Sequence, residues 1–164
     1  MRKVSLLAAV IVAASLVIGV SVASGLAKPE ILSFVDVEED FKPLDPALIE
    51  QGPPPVGARF SFTEGLYEWA GTKRGKRAGR FEGLCTFTKV DVAAEAATSY
   101  CVATAFLPRG HLLIAGFIRF AEEGPGKFVV PAIGGTGRYA NARGTCTFRE
   151  LPSFNQAVVC RLVP

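Results

Sequence analysis

From Ala58 onward the chain alternates apolar and polar residues in short runs, each closed by turn-forming residues. A period of two marks half-buried strands, because successive side chains on a strand point to opposite faces. In RFSFTEGLYEW (59–69) it puts Phe60, Phe62, Glu64 and Leu66 on one face and Ser61, Thr63, Gly65 and Tyr67 on the other. GRFEGLCTFTKV (79–90), SYCVATAFL (99–107), HLLIAGFIRFA (111–121), KFVVPAIG (127–134), GTCTFREL (144–151) and NQAVVCRLV (155–163) continue the series, after a first strand in EILSFVDVEED (30–40). TKRGKRAG (72–79), Pro108-Arg109-Gly110, Glu123-Gly124-Pro125-Gly126 and Leu151-Pro152-Ser153 read as the turns between them. VDVAAEAATS (90–99) is the one stretch expected to hold a helical turn. FKPLDPALIEQGPPPVG carries five of the eleven prolines, which removes ladder donors and predicts a loop or wrapping segment. Seven or eight short, evenly spaced strands predict an all-β fold, an antiparallel sandwich or a closed barrel, and periodicity alone does not choose between them.

The N-terminus reads differently. Arg2 and Lys3 precede an uncharged apolar run from Val4 to about Val22, followed by small residues that fit cleavage after Ala23, Gly25 or Ala27. Residues 1–27 are therefore expected to be an export signal, or else an uncleaved anchor, which would place the protein at a membrane on the extracytoplasmic side. Residues 28–164 are expected to form a single secreted domain. Since Arg2 and Lys3 supply two of the three excess positive charges, the remainder is nearly neutral, and no nucleic-acid partner is expected from charge.

Cys85, Cys101, Cys146 and Cys160 are an even set, which in an exported protein favours disulfides. Three connectivities are formally open. Cys85–Cys101 and Cys146–Cys160 are preferred, because each pair sits symmetrically in what reads as one hairpin. No cysteines lie two to four residues apart and no histidine lies beside one, so no metal site is expected.

IGGTGRYANARG (133–144) raises the question of a phosphate-binding loop. Such loops aim backbone N–H groups from a helix start, but here the chain runs through another glycine into strand alternation, with no Gly-Lys-Ser/Thr ending. The glycines are expected to shape the backbone after a strand, with Tyr139 packing back on the wall. The single histidine, His111, follows a turn glycine at a strand start, and Gly-x-Ser-x-Gly is missing, which argues against a serine hydrolase.

Together, GARFSFTEGLYEWAGTKRGKRAGRFEGLC, LPRGHLLIAGFI and IGGTGRYANARG resemble the successive signatures of the allene oxide cyclase and dirigent-like barrel superfamily, here in its secreted bacterial-type form, over about Ile31 to Leu162. The resemblance implies an eight-stranded antiparallel barrel with an apolar interior, in plants often trimeric, so a homo-trimer or dimer is an expected partner state. It also implies a cavity that holds a small hydrophobic molecule, with no cofactor. Plant cyclases of the superfamily line that cavity with polar groups whose positions fall here at Asp36, Glu38, Glu64, Cys85 and Ile118. Of these only Cys85 is identical, and a disulfide would remove its thiol. Arg143 matches an arginine of dirigent proteins.

Glu64 and Asp36 are thus the candidate catalytic acids, since burial raises a carboxyl pKa into a useful range. Glu38, Phe60, Phe62, Ile118 and Arg143 are the candidate ligand contacts. The expected function is binding of a small hydrophobic molecule, with an isomerase or cyclase acting on such a ligand as the alternative. A second alternative is a non-catalytic extracellular interaction module using the cationic stretch at Lys73, Arg74, Lys76 and Arg77.

Overall fold

The computed structural model describes residues 28–48, 53–71, 73–121, 124–152 and 156–163. The expected leader, residues 1–27, lies outside them. Eight strands follow one another along the chain: β1 (Glu30–Pro43), β2 (Arg59–Trp69), β3 (Arg74–Asp91), β4 (Ala96–Leu107), β5 (Gly110–Ala121), β6 (Lys127–Gly135), β7 (Arg143–Glu150) and β8 (Gln156–Val163). Every neighbouring pair is antiparallel, and β8 returns to β1, so the sheet closes into a barrel. Closure leaves no unpaired edge. Between sandwich and barrel, the barrel is what forms.

The alternation read from the sequence is the division between lumen and exterior. Phe34 and Leu66 point inward with Phe81, Leu112, Ile114, Val130, Phe148, Val158 and Leu162, and these form the main core. Both disulfides bridge directly opposed residues, Cys85 with Cys101 across β3–β4 and Cys146 with Cys160 across β7–β8. All four cysteines are buried on the lumen side of the wall.

An up-and-down barrel places alternate connections at the same end. One end holds the β2–β3 and β4–β5 turns and the segment between β6 and β7, and it is plugged by Leu66, Leu107, Leu112, Tyr139, Ala142 and Leu162. The glycine cluster shapes this plug. Gly137 has φ +57 and begins a short 3₁₀ turn, Gly137–Tyr139, that buries Tyr139. A Cβ on Gly135 would overlap the His111 carbonyl oxygen, so only glycine lets the chain lie against β5. Thr136 fixes the approach, its N–H donating to His111 O (2.8 Å) and its hydroxyl accepting from the His111 N–H (3.1 Å).

Three local expectations change. Residues 90–99 hold no helix: β3 runs to Asp91, β4 starts at Ala96, and the turn between them has Asp91 Oδ1 accepting from the Ala94 N–H at 3.1 Å. So short a segment cannot repay helix nucleation when both flanks are drawn into a ladder. The basic stretch is not a loop either, since β3 already begins at Arg74. Register shifts at Leu66/Tyr67 and Tyr67/Trp69 absorb its glycines as strand irregularities, and Arg74 and Arg77 lie over the Tyr67 ring. Arg77 also pairs with Glu39 at 2.8 Å. The proline-rich stretch departs from expectation at its start, where Phe41, Lys42 and Pro43 continue the β1 ladder against Phe62, Ser61 and Phe60, a proline being tolerated at the strand's end. Beyond it lies a 3₁₀ turn at Pro46–Leu48, and Leu48 packs on the cluster of Phe60, Cys85 and Cys101.

Candidate functional site

Among the described residues, nothing plugs the opposite end. A cavity of about 760 Å³ runs inward from it, bounded at the mouth by Pro53, Pro54, Val92, Glu95 and Pro125. That volume suits a drug-sized molecule, within the ~300–1,000 Å³ common for ligand sites.

Its walls follow from strand composition. Large phenyl rings alternate with very small residues: Ala97, Ala103, Ala115 and Gly116 all face the space, and the rings surround what they leave empty. Two chains of ring contacts result. Phe60 meets Phe41, Phe87 and Phe120 at centroid distances of 5.1, 5.5 and 6.2 Å. Phe62 meets Phe81 at 5.6 Å, Phe81 meets Phe148 at 6.0 Å, and Phe148 stacks on Phe128 at 4.8 Å. Gly83 makes one of these placements possible, since a Cβ there would run into the Phe62 ring.

Into this hydrocarbon surface β1 and β2 project carboxyl groups. Glu38 and Glu64 are direct register partners and both line the cavity. Asp36, one inward position along, is only 3% exposed and lies behind them, paired in register with Leu66 on one side and Gln156 on the other. Its Oδ1 accepts from the Gln156 N–H at 2.8 Å, while Oδ2 is buried with no fixed donor. Among the described side chains, the adjacent Glu64 becomes a donor to Asp36 when it carries a proton.

Electrostatics supplies that proton. Burial pushes the Glu64 carboxyl from its ordinary 4.5 up to about 9, and the charge on Asp36 adds to the effect. Burial also raises Asp36 from 3.8 to about 7, against the lowering effect of the hydrogen bonds from Gln156 and Glu64. The two behave as a coupled acid pair sharing one proton near neutrality, with Glu64 the protonated member.

The structure brings Asp36, Glu38, Glu64, Phe60, Phe62 and Ile118 to one cavity. It does not bring Arg143 there. Arg143 opens β7 at the plugged end, exposed, with Nη1 donating to its neighbour Ala142 O at 2.8 Å. The carboxyls therefore have no guanidinium partner from that residue, and burial remains the largest influence on their proton affinity. Cys85 lines the cavity as a disulfide and offers no thiol. His111 is exposed at the plugged end, edge-on to Phe106 at 4.7 Å. Sequence reasoning missed Gln156 and the mouth acids Asp91 and Glu95. Gln156 shares the inward alternation of Val158, Cys160 and Leu162, which was the available signal. Among the described residues no group of three or more His, Cys, Asp or Glu side chains could hold a metal ion.

The family model described as allene oxide cyclase barrel like domain matches residues 63–162. Solved structures share the fold at low identity. Pyocyanin demethylase is 23% identical with a TM-score of 0.62, over 82% of this chain and 100% of that one. The Diels-Alderase AbmU from Streptomyces koyangensis is 19% identical with a TM-score of 0.58, over 87% of this chain and 72% of that one. A pterocarpan synthase dirigent protein is 16% identical with a TM-score of 0.62, over 83% and 94%. No curated protein gives a significant match to the chain.

Proposed function

The chain belongs to the allene oxide cyclase barrel-like family, and from that premise we propose that it is an exported barrel that takes a small, largely apolar molecule into its lumen. The observation that carries this is the cavity: about 760 Å³ of space, walled by phenyl rings and, among the described residues, plugged at one end only. A barrel built only for rigidity would fill such a volume with its own side chains, since interiors pack densely and voids are costly. Titration with an environment-sensitive apolar dye tests it. One saturable site is expected, lost in Ala103→Phe, which fills the lumen from a position 4% exposed. Binding that survives this substitution unchanged places the dye elsewhere and removes the reading.

Export is part of the proposal. Two disulfides belong to an oxidising compartment, and the N-terminal run has the order of a signal segment. The mass of the protein recovered from its native host should correspond to a start just after Ala23, Gly25 or Ala27. A full-length mass would mean an anchored form.

The shared proton of Asp36 and Glu64 favours a second reading, an isomerase or cyclase acting on the guest. A protonated carboxyl in a water-poor lumen can donate to a carbonyl, epoxide or hydroxyl oxygen as bonding electrons move, and Asp36 behind it can take up and return the proton. That Diels-Alderase, demethylase and dirigent proteins share the fold supports this. Incubation with a panel of unsaturated epoxides and polyenes should then yield product with wild type and at least 100-fold less with Glu64→Gln. Equal turnover by that variant would reject the role of Glu64.

A further inference from the structure

The lining residues carry charge of one sign only. Glu38 and Glu64 face the lumen from β1 and β2, and Asp91 and Glu95 face it at the mouth from the β3–β4 end. Asp36 backs them, its Oδ2 unpartnered and the residue 97% buried by its 3% exposure. From β8 the lining takes Gln156, and from β4, β5, β6 and β7 it takes apolar residues and glycine. Among the described residues, no lysine, arginine or histidine lines the cavity.

Rings and carboxyls in this combination discriminate by charge. The face of a phenyl ring carries negative potential and attracts a cation, most strongly where water is excluded. A carboxylate guest would meet repelling rings and repelling acids, with only the Gln156 amide and the single shared proton to set against them among the described lining residues. We infer that the occupant of the lumen is a lipophilic organic cation, of the class of aryl or alkyl quaternary ammonium ions and N-alkylated heteroaromatics, and that anionic amphiphiles are excluded. This rests on the lumen being a binding site, as proposed above.

A cation seated near Glu64 supplies the counter-charge that burial denies it. Binding then expels the proton shared by Glu64 and Asp36 to solvent, leaving the Glu64 carboxylate facing the guest and the Asp36 carboxylate behind it. By linkage, affinity for a cation rises with pH across the range in which the empty pair still holds its proton, up to tenfold per pH unit for one proton released. Among the described residues, Asp36, Glu38, Glu64, Asp91 and Glu95 are the titratable groups lining or backing the cavity, and all are acids, whose negative charge favours a cation.

Three probes with a common ring system separate charge from shape: (2-naphthylmethyl)trimethylammonium, 2-naphthylmethanol and 2-naphthoate, titrated calorimetrically into the wild-type protein between pH 6 and 8.5. The expected order is the ammonium at least tenfold tighter than the alcohol at pH 8, with no binding of the naphthoate. Ammonium affinity should rise with pH while alcohol affinity stays level, and proton release should show as heat that depends on the buffer. In Glu64→Gln, and independently in Asp36→Asn, the ammonium-to-alcohol ratio should fall toward one, with near-ultraviolet circular dichroism confirming the fold. Naphthoate binding as tightly as the ammonium, or ammonium affinity flat or falling with pH, overturns the inference. If the alcohol binds as well as the ammonium, the lumen is a binding site without this selectivity, and the earlier proposal stands alone. If none of the three binds, both fall.

Discussion

At the scale of single residues, Glu64 dominates. Its place on an apolar strand face with Phe60, Phe62 and Leu66 was legible from alternation alone. The Asp36–Gln156 contact was not, because it joins residues 120 apart and exists only once β8 meets β1. Arg143 was misplaced for a related reason: a motif fixes a residue's position along a strand but not which end of the barrel it reaches. The raised proton affinities have a consequence for stability. Both carboxyls keep protons in the folded state at pH values where the unfolded chain, titrating near 3.8 and 4.5, has released them. Folding is therefore favoured most at low pH by these groups, and their contribution is lost as pH rises toward about 7 for Asp36 and about 9 for Glu64. Each titrating group costs on the order of 1 kcal/mol per pH unit in that window. Urea unfolding at pH 5 and pH 8 should show the loss. Glu64→Gln, which keeps an N–H donor for Asp36 Oδ2, should flatten the profile and be the more stable protein at pH 8.

At the scale of elements, strand identity was almost fully readable, since period two survives in every wall segment and turn residues mark most of the breaks. Irregularity was not. The bulges that carry β3 through TKRGKRAG arise from pairing with Tyr67 and Trp69, a tertiary fact invisible in a glycine-rich basic string. The disulfides were legible as hairpin pairs and are confirmed as such. They close loops of sequence separation 16 and 14, for which the chain-entropy model gives about 3 kcal/mol each. Replacing Cys146 and Cys160 together by serine should therefore lower the unfolding free energy by about 2–5 kcal/mol, seen as an earlier midpoint in urea. Gly135→Ala should cost more than Gly126→Ala, because only at Gly135 would the new methyl strike a carbonyl oxygen.

At the scale of the whole molecule, the emptiness of the lumen was the property least visible beforehand. Twelve phenylalanines in a chain this short could have filled a barrel solid. What keeps it hollow is where the small residues fall: Ala97, Ala103, Ala115 and Gly116 cluster on the β4–β5 wall, opposite the acids of β1 and β2. That arrangement depends on barrel closure and no linear pattern reveals it. The same closure assigns the two ends different work, one sealed around Tyr139 and the other, among the described residues, giving onto the cavity. Ligand occupancy should accordingly raise the melting temperature with saturating concentration, as any species that binds only the folded form must.

The bridge between Cys85 and Cys101 faces the hollow and not the outside. A small reducing agent must come in by the same doorway as a guest. A tenanted barrel therefore keeps this bond against thiols that would cut it in a vacant one, and the rate of its reduction becomes a gauge of who is at home.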